Sequence, residues 1–223
     1  MENQGKYRGK VVNNVDPLMQ GRIIALVPTI SELPLTWATP CVPYAGRGVG
    51  FFAVPPIGAN VWIEFEEGDA GKPIWTGCYW GKGEAPAKPA VPMTKVFKTE
   101  LVNLSINDLT AEIRLEVKTP AGLQSVVMDP SGIKLKSNAV SVTIAQQGIE
   151  LKIAASSVSV APQAVTLKNG SATAEVAPQA VSLKNGGASV EVTPASLALK
   201  NGGASVDLSP ASVSLNKGAL EVI

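Results

Sequence analysis

Four carboxylates crowd one short stretch: Glu64, Glu66, Glu67 and Asp69. Paired carboxylates are the machinery of glycoside hydrolysis, one serving as acid and the other as base or nucleophile. Alternation argues against that use here. It sets Trp62, Glu64 and Glu66 on one side of a strand and Val61, Ile63 and Phe65 on the other, so the acids read as a wet face running into the turn Glu67-Gly68-Asp69. Gly46-Arg47-Gly48-Val49-Gly50 has the glycine content of a phosphate loop but lacks the Lys-Ser/Thr and the following helix. It reads instead as a glycine-rich loop that touches a partner. Lys6, Arg8, Lys10, Arg22 and Arg47 lie among aromatics, a mixture that can hold single-stranded nucleic acid. The acidic cluster offsets them, and 19 Lys and Arg against 18 Asp and Glu leave a formal charge of +1, so no nucleic-acid partner is expected.

The chain has no histidine, which removes His-based triads and His-containing zinc sites. Cys41 and Cys78 are too few for a disulfide framework or a Cys-rich metal site, and each reads as a small buried apolar residue. No catalytic constellation, cofactor or metal follows from these residues, so the expectation is that the protein is not an enzyme. No stretch approaches the roughly 20 apolar residues of a membrane helix, and Met1-Glu2-Asn3-Gln4-Gly5-Lys6 lacks the apolar core of a signal peptide. A soluble protein made in the cytoplasm is expected.

The elements that carry these residues are short strands. Residues 6–81 hold all four Trp, all three Tyr and three of the four Phe, in apolar runs bounded by Gly and Pro. Four or five close-spaced strands of this kind predict a small closed barrel over residues 1–81. Three prolines between Lys82 and Pro92 mark a semi-stiff linker, taken to residue 94. Strands then follow without helical periodicity, first as a neck over 95–132 and then as a repeat over 133–223. Hydrophobic residues make up 45% of the chain while aromatics are 5%, so small β-branched and alanyl residues carry the apolar share. That suits narrow stacked β-structure.

The repeat has a beat of sixteen. Lys-Asn-Gly recurs at Lys168, Lys184 and Lys200, and proline at Pro162, Pro178, Pro194 and Pro210. Each sixteen holds two strands of about eight residues with their turns. The apolar row predicted to point inward is Val165, Leu167, Val181, Leu183, Val190, Val192, Leu197, Leu199, Val206, Leu208, Val213 and Leu215. Corners fall at Pro162, Gly170, Pro178, Gly186, Pro194, Gly202, Pro210 and Gly218, where Gly permits a positive φ and Pro fixes a bend. Outside, Lys168, Glu175, Lys184, Glu191, Lys200 and Asp207 alternate in sign, as though to set opposite charges close together in successive strands.

Eight residues are too long a step for a single-chain triangular β-helix, and a single two-sided coil of sixteen would enclose only a thin core. Three chains winding about one axis, each giving one strand per layer, would bury every apolar row and remove the open edges that invite aggregation. At about 4.8 Å per strand, eleven octads make a needle on the order of 50 Å long.

The order of motifs in the first domain adds a resemblance. Tyr7-x-Gly9-x-Val11, Asp16-Pro17, Gly21-Arg22-Ile23 and Trp37-Ala38-x-Pro40 come first. Pro55-Pro56-Ile57-Gly58-Ala59-x-Val61-Trp62-Ile63-x-Phe65-Glu66-x-Gly68-Asp69 and Pro73-Ile74-x-x-Gly77 follow. This order resembles the OB-fold domain of phage baseplate assembly protein V and the related central spikes of contractile tails and type VI secretion. Val117-Lys118-Thr119-Pro120-Ala121-Gly122, with Val126-Val127-Met128-Asp129 and Gly132-Ile133, looks like the start of that family's β-helix. The resemblance implies an all-β protein, an OB-fold barrel followed by an intertwined homotrimeric triangular β-helix. It implies a spike at the baseplate centre of a phage tail or phage-tail-like particle, which pierces the target envelope on sheath contraction and touches the target membrane only transiently. Its expected partners are two further copies of itself, a separate baseplate hub protein at the OB-fold end and, indirectly, the tail tube and baseplate wedge. Some relatives bind an iron ion at the tip through histidines. With none here, a separate PAAR-type tip protein is the expected cap. The linker is too short for the lysozyme domain that some phage spikes insert. The alternative is a trimeric adhesin or tail-fibre-like stalk whose N-terminal barrel binds carbohydrate.

Overall fold

The computed structural model describes residues 3–217 and 219–222, the last two by their backbone only. The chain divides into two compact units, Met1–Ala85 and Pro86–Ile223.

The first unit holds strands β1 (Tyr7–Asn13), β2 (Ile24–Leu26), β3 (Thr39–Pro40), β4 (Ala45–Gly46), β5 (Val49–Gly50), β6 (Asn60–Phe65) and β7 (Pro73–Cys78). Five of them form one sheet in the order β2-β1-β6-β7-β3. Paired backbone bonds between Ile23 and Ala38, 3.1 and 2.7 Å, then tie the two outer strands together and close the ring. Alternation along β6 turns Val61, Ile63 and Phe65 inward, where they pack with Val11, Ile23, Ala25, Val27, Ala38 and Trp75. Gly9 is closely packed: a Cβ there would stand 3.1 Å from both the Ile63 and Val27 side chains, which would have to give by a few tenths of an ångström. The expected small closed barrel is present.

The second unit is a single antiparallel meander of sixteen strands, described from β8 to β23. It opens with β8 (Thr94–Lys98), β9 (Val102–Asn107), β10 (Glu112–Thr119) and β11 (Gly122–Asp129). Six-residue strands follow: β12 (Gly132–Ser137), β13 (Val140–Ala145), β14 (Gly148–Ile153), β15 (Ser156–Ala161), β16 (Ala164–Asn169), β17 (Ala172–Ala177) and β18 (Ala180–Asn185). The last are β19 (Ala188–Val192), β20 (Leu197–Asn201), β21 (Ala204–Leu208), β22 (Val213–Leu215) and β23 (Leu220–Val222). Residues 95–132 and the described residues from 133 on therefore share one sheet.

The beat of sixteen now has a structural cause: two six-residue strands, each closed by a two-residue turn. Gly170, Gly186 and Gly202 hold φ of 58°, 56° and 59° at the first central position, while the second central residue keeps negative φ. That is the II′ pattern, whose twist matches the flanking strands. Pro162, Pro178, Pro194 and Pro210 occupy the opposite turns. Gly218 lies outside the described residues. The corners are full reversals rather than bends around an axis, so each strand bonds to its neighbours in its own chain.

Candidate assembly face

Because paired residues of an antiparallel sheet share a face, the register can be followed across all of the second unit. One ladder runs Ile106, Ile113, Met128, Ile133, Ile144, Ile149, Val160, Val165, Val176, Val181, Val192, Leu197, Leu208 and Val213. A second runs beside it on the same face: Phe97, Leu104, Leu115, Val126, Leu135, Val142, Leu151, Val158, Leu167, Ala174, Leu183, Val190, Leu199, Val206 and Leu215. All twelve residues of the expected inward row fall on these two ladders. Sequence reasoning had not included Ala174, Val176 or the ladder members before residue 165. The alternation of Ile113, Leu115 and Val117 already carried that signal.

This face is not covered. Leu167 and Leu183 are 52% and 51% exposed, and Val165, Val181 and Val192 are 42–43% exposed. A groove of about 1090 Å³ opens over it, lined by Leu151, Val158, Leu167, Leu183, Val190 and Leu199 together with Asn169, Asn185, Asn201 and Asn216. The asparagines were not foreseen as members of this face. Monomeric proteins seldom expose apolar patches above a few hundred Å², and here the ladders run the whole length of the sheet.

The opposite face carries the charges. Glu175 pairs with Thr166 and Ser182, Glu191 with Ser182 and Ala198, and Asp207 with Ala198 and Ser214. Lys168, Lys184 and Lys200 pair with serines and threonines. Opposite charges are thus diagonal, at about 7–8 Å between backbones, and among the described residues no salt bridge joins them. The alternation of sign thus brings opposite charges near one another in successive strands as diagonal neighbours. Ion pairs do form nearer the start of the sheet, where Arg114 reaches Glu112 at 3.0 Å and Glu116 at 3.5 Å.

In the barrel the suspected chemistry resolves into structure. Glu64 is held by Lys6, which also donates to Thr76 at 3.1 Å. Glu66 leaves the strand for a 3-10 turn, where Glu67 takes φ 53° and Asp69 accepts from the Gly71 N–H at 2.8 Å. Among the described residues no group of three or more Cys, Asp or Glu could hold a metal ion. Gly46-Arg47-Gly48 is the tip of a hairpin in which Ala45 pairs with Gly50. Cys41 and Cys78 are both exposed, not buried as expected, because each sits at the end of its strand beyond the enclosed stretch.

The barrel motifs have local reasons as well. Asp16 accepts the Arg22 guanidinium at 2.6 Å and the backbone N–H groups of Leu18, Gln20 and Arg22, which cinches the loop between β1 and β2. The Arg22 hydrogen bond, with help from those amides, holds the Asp16 carboxyl below the usual carboxylate range against the opposing effect of burial. Arg22 lies over Trp37 at 5.3 Å, and the Trp75 indole donates to the Gly21 carbonyl at 3.1 Å.

A ring-closed five-stranded barrel, followed in the chain by an antiparallel repeat with one bare apolar face, defines an all-β protein of the OB-plus-β-repeat kind. Residues 7–80 match the Type VI secretion system/phage-baseplate injector OB domain. Over those residues the barrel is similar to that family's OB domain. A comparison with curated proteins finds no match. Among the described residues no helix is long and apolar enough to cross a membrane.

Proposed function

We propose that this protein is the central spike of a contractile tail or injection system, a homotrimer that seats on a hub through its OB-fold end and pierces the target envelope on sheath contraction. The observation that carries the reading is the pairing of an injector OB domain over residues 7–80 with a repeat sheet whose apolar ladders stay bare. Full burial of a Val or Leu side chain is worth about 1.5–3 kcal/mol. With 38–52% of several of these side chains still exposed, covering each contributes on the order of 1 kcal/mol. Two further copies of the same sheet provide that cover, with the three apolar faces meeting on one axis and the charged faces outward. Stacked strands with every central backbone group paired resist compression, which is what a piercing part must do. The role is structural rather than catalytic.

Beyond its own copies, the partners in this reading are a separate hub protein, a PAAR-type tip protein and, indirectly, tube and wedge. Purification of native particles with a tagged chain tests it. Tube, hub and sheath proteins should co-purify, and electron microscopy should find the tag on the particle's central axis. Recovery of the chain free of any particle, with glycan binding by residues 1–85, would favour the adhesin instead.

A further inference from the structure

The two edges of the repeat sheet differ chemically along their length. Strand direction alternates, so every Asn-Gly turn (Gly170, Gly186, Gly202) lies on one edge and every proline turn (Pro162, Pro178, Pro194) on the other. Asn169, Asn185 and Asn201 end their strands two residues beyond Leu167, Leu183 and Leu199, which places them on the apolar face. Each pairs with or lies opposite a small residue, as Asn185 does with Ala188 and Asn201 with Ala204. An amide on a face that is otherwise Val and Leu needs partners once that face is covered. The Asn169 Oδ1 accepts from Ser156 at 3.0 Å and the Asn185 Oδ1 from Ser171 at 3.4 Å. Among the described residues, none of the three Nδ2 groups has an acceptor.

One corner of the proline edge, the one at Pro194, has the complementary lack. At Thr193-Pro194-Ala195-Ser196 the Thr193 N–H donates to the Ser196 carbonyl at 2.8 Å, and the Ala195 and Ser196 N–H groups donate to the Thr193 Oγ1 at 3.3 and 3.0 Å. Proline has no N–H, so the corner's donors are spent while the Pro194 and Ala195 carbonyls stay open. Both edges also share one pitch, because both recur every sixteen residues.

We infer that in the assembly each Asn-Gly corner of one copy lodges between two proline corners of the next, with the asparagine amides facing that seam. The occupant of the edge is thus a second copy of this chain, and the inference rests on the three-copy reading above. Copies related by rotation about the stacking direction bring unlike edges together, a heterologous contact that closes into a ring. Asn corners join β16 to β17, β18 to β19 and β20 to β21, whereas proline corners join β15 to β16, β17 to β18 and β19 to β20. The two sets are offset by one strand, about 4.8 Å. Copies at equal height therefore interleave rather than collide.

The test uses the full chain with Cys41→Ser and Cys78→Ser, carrying Asn185→Cys together with Gln179→Cys. Within one chain these positions stand at opposite ends of β18, roughly 20 Å apart at about 3.4 Å per residue. A bismaleimide too short for that span can join them only between copies. We expect a covalent product of three chains on a denaturing gel, and no cross-linked product from either cysteine variant alone. A covalent dimer from Asn185→Cys alone would mean that like edges meet and would overturn the seam. A trimer by sedimentation without cross-linked product in the double variant would overturn the seam and leave the three-copy reading standing. A monomer by sedimentation would overturn both.

Discussion

The barrel and the repeat sheet solve the burial problem in opposite ways. In residues 1–85 nine apolar side chains, from Val11 to Trp75, are at most 8% exposed and pack around one centre. In residues 86–223 the one buried apolar residue among those described is Val127. Yet the second unit has more strands and a more regular pattern. Backbone pairing saturates along its meander, but a sheet has two faces, and among the described residues of this unit nothing covers the apolar one. The barrel has a core of its own. In the proposed reading, the repeat completes its core by association with further copies.

The sharpest way to break that comparison is Leu199→Asp. Covering the face would bury three carboxylates around one axis, where an unpaired charge costs several kcal/mol. We expect loss or fraying of the assembly in light scattering while the barrel stays folded. An unchanged assembly would place Leu199 on an outer face. Next in size is Ile63→Ala in the barrel core, where side-chain removal costs about 2–5 kcal/mol. The melting transition of residues 1–85 should fall, and the oligomeric state of the full chain should not change. A smaller pair of variants probes the turns. Gly202→Ala forces an L-residue to φ 59° and should cost roughly 1–2 kcal/mol per chain. Gly203→Ala meets nothing within 4 Å at an ordinary φ and should be neutral or stabilising by about 0.4–1 kcal/mol. Calorimetry of the two side by side separates backbone strain from packing.

The smallest effect concerns pH and belongs to the barrel. The folded Asp16 carboxyl is held below its ordinary value by Arg22. Its contribution is therefore complete above about pH 4 and is lost only as pH falls through the lowered folded value. An NMR titration should find the Asp16 midpoint below about 3.9, and Asp16→Asn should remove that part of the acid dependence. A midpoint at or above the ordinary value would show that the Arg22 clamp is open in solution.

Much of this was legible in the residues. Alternation at Val61, Ile63 and Phe65 gave the barrel wall, and the spacing of Lys-Asn-Gly and proline gave strand lengths and turn positions. Pairing was harder to read. A Gly at the first central position permits a reversal or a wider bend, and only the pairing of the strands on either side decides for the hairpin. The asparagines were hidden for a related reason. Asn before Gly is an ordinary turn residue, and its membership of the apolar face appears only when strand parity is counted back to Leu167, Leu183 and Leu199. Cys41 and Cys78 misled because side-chain type favours burial while a place at a strand end does not.

The most direct measurement is the mass of the full chain in solution by sedimentation equilibrium, with circular dichroism on the same sample. One copy is 23.1 kDa. We expect a single β-rich species of three copies, about 69 kDa. A stable 23.1 kDa species with the repeat fully ordered would contradict the claim that this sheet finds its core in other copies of itself.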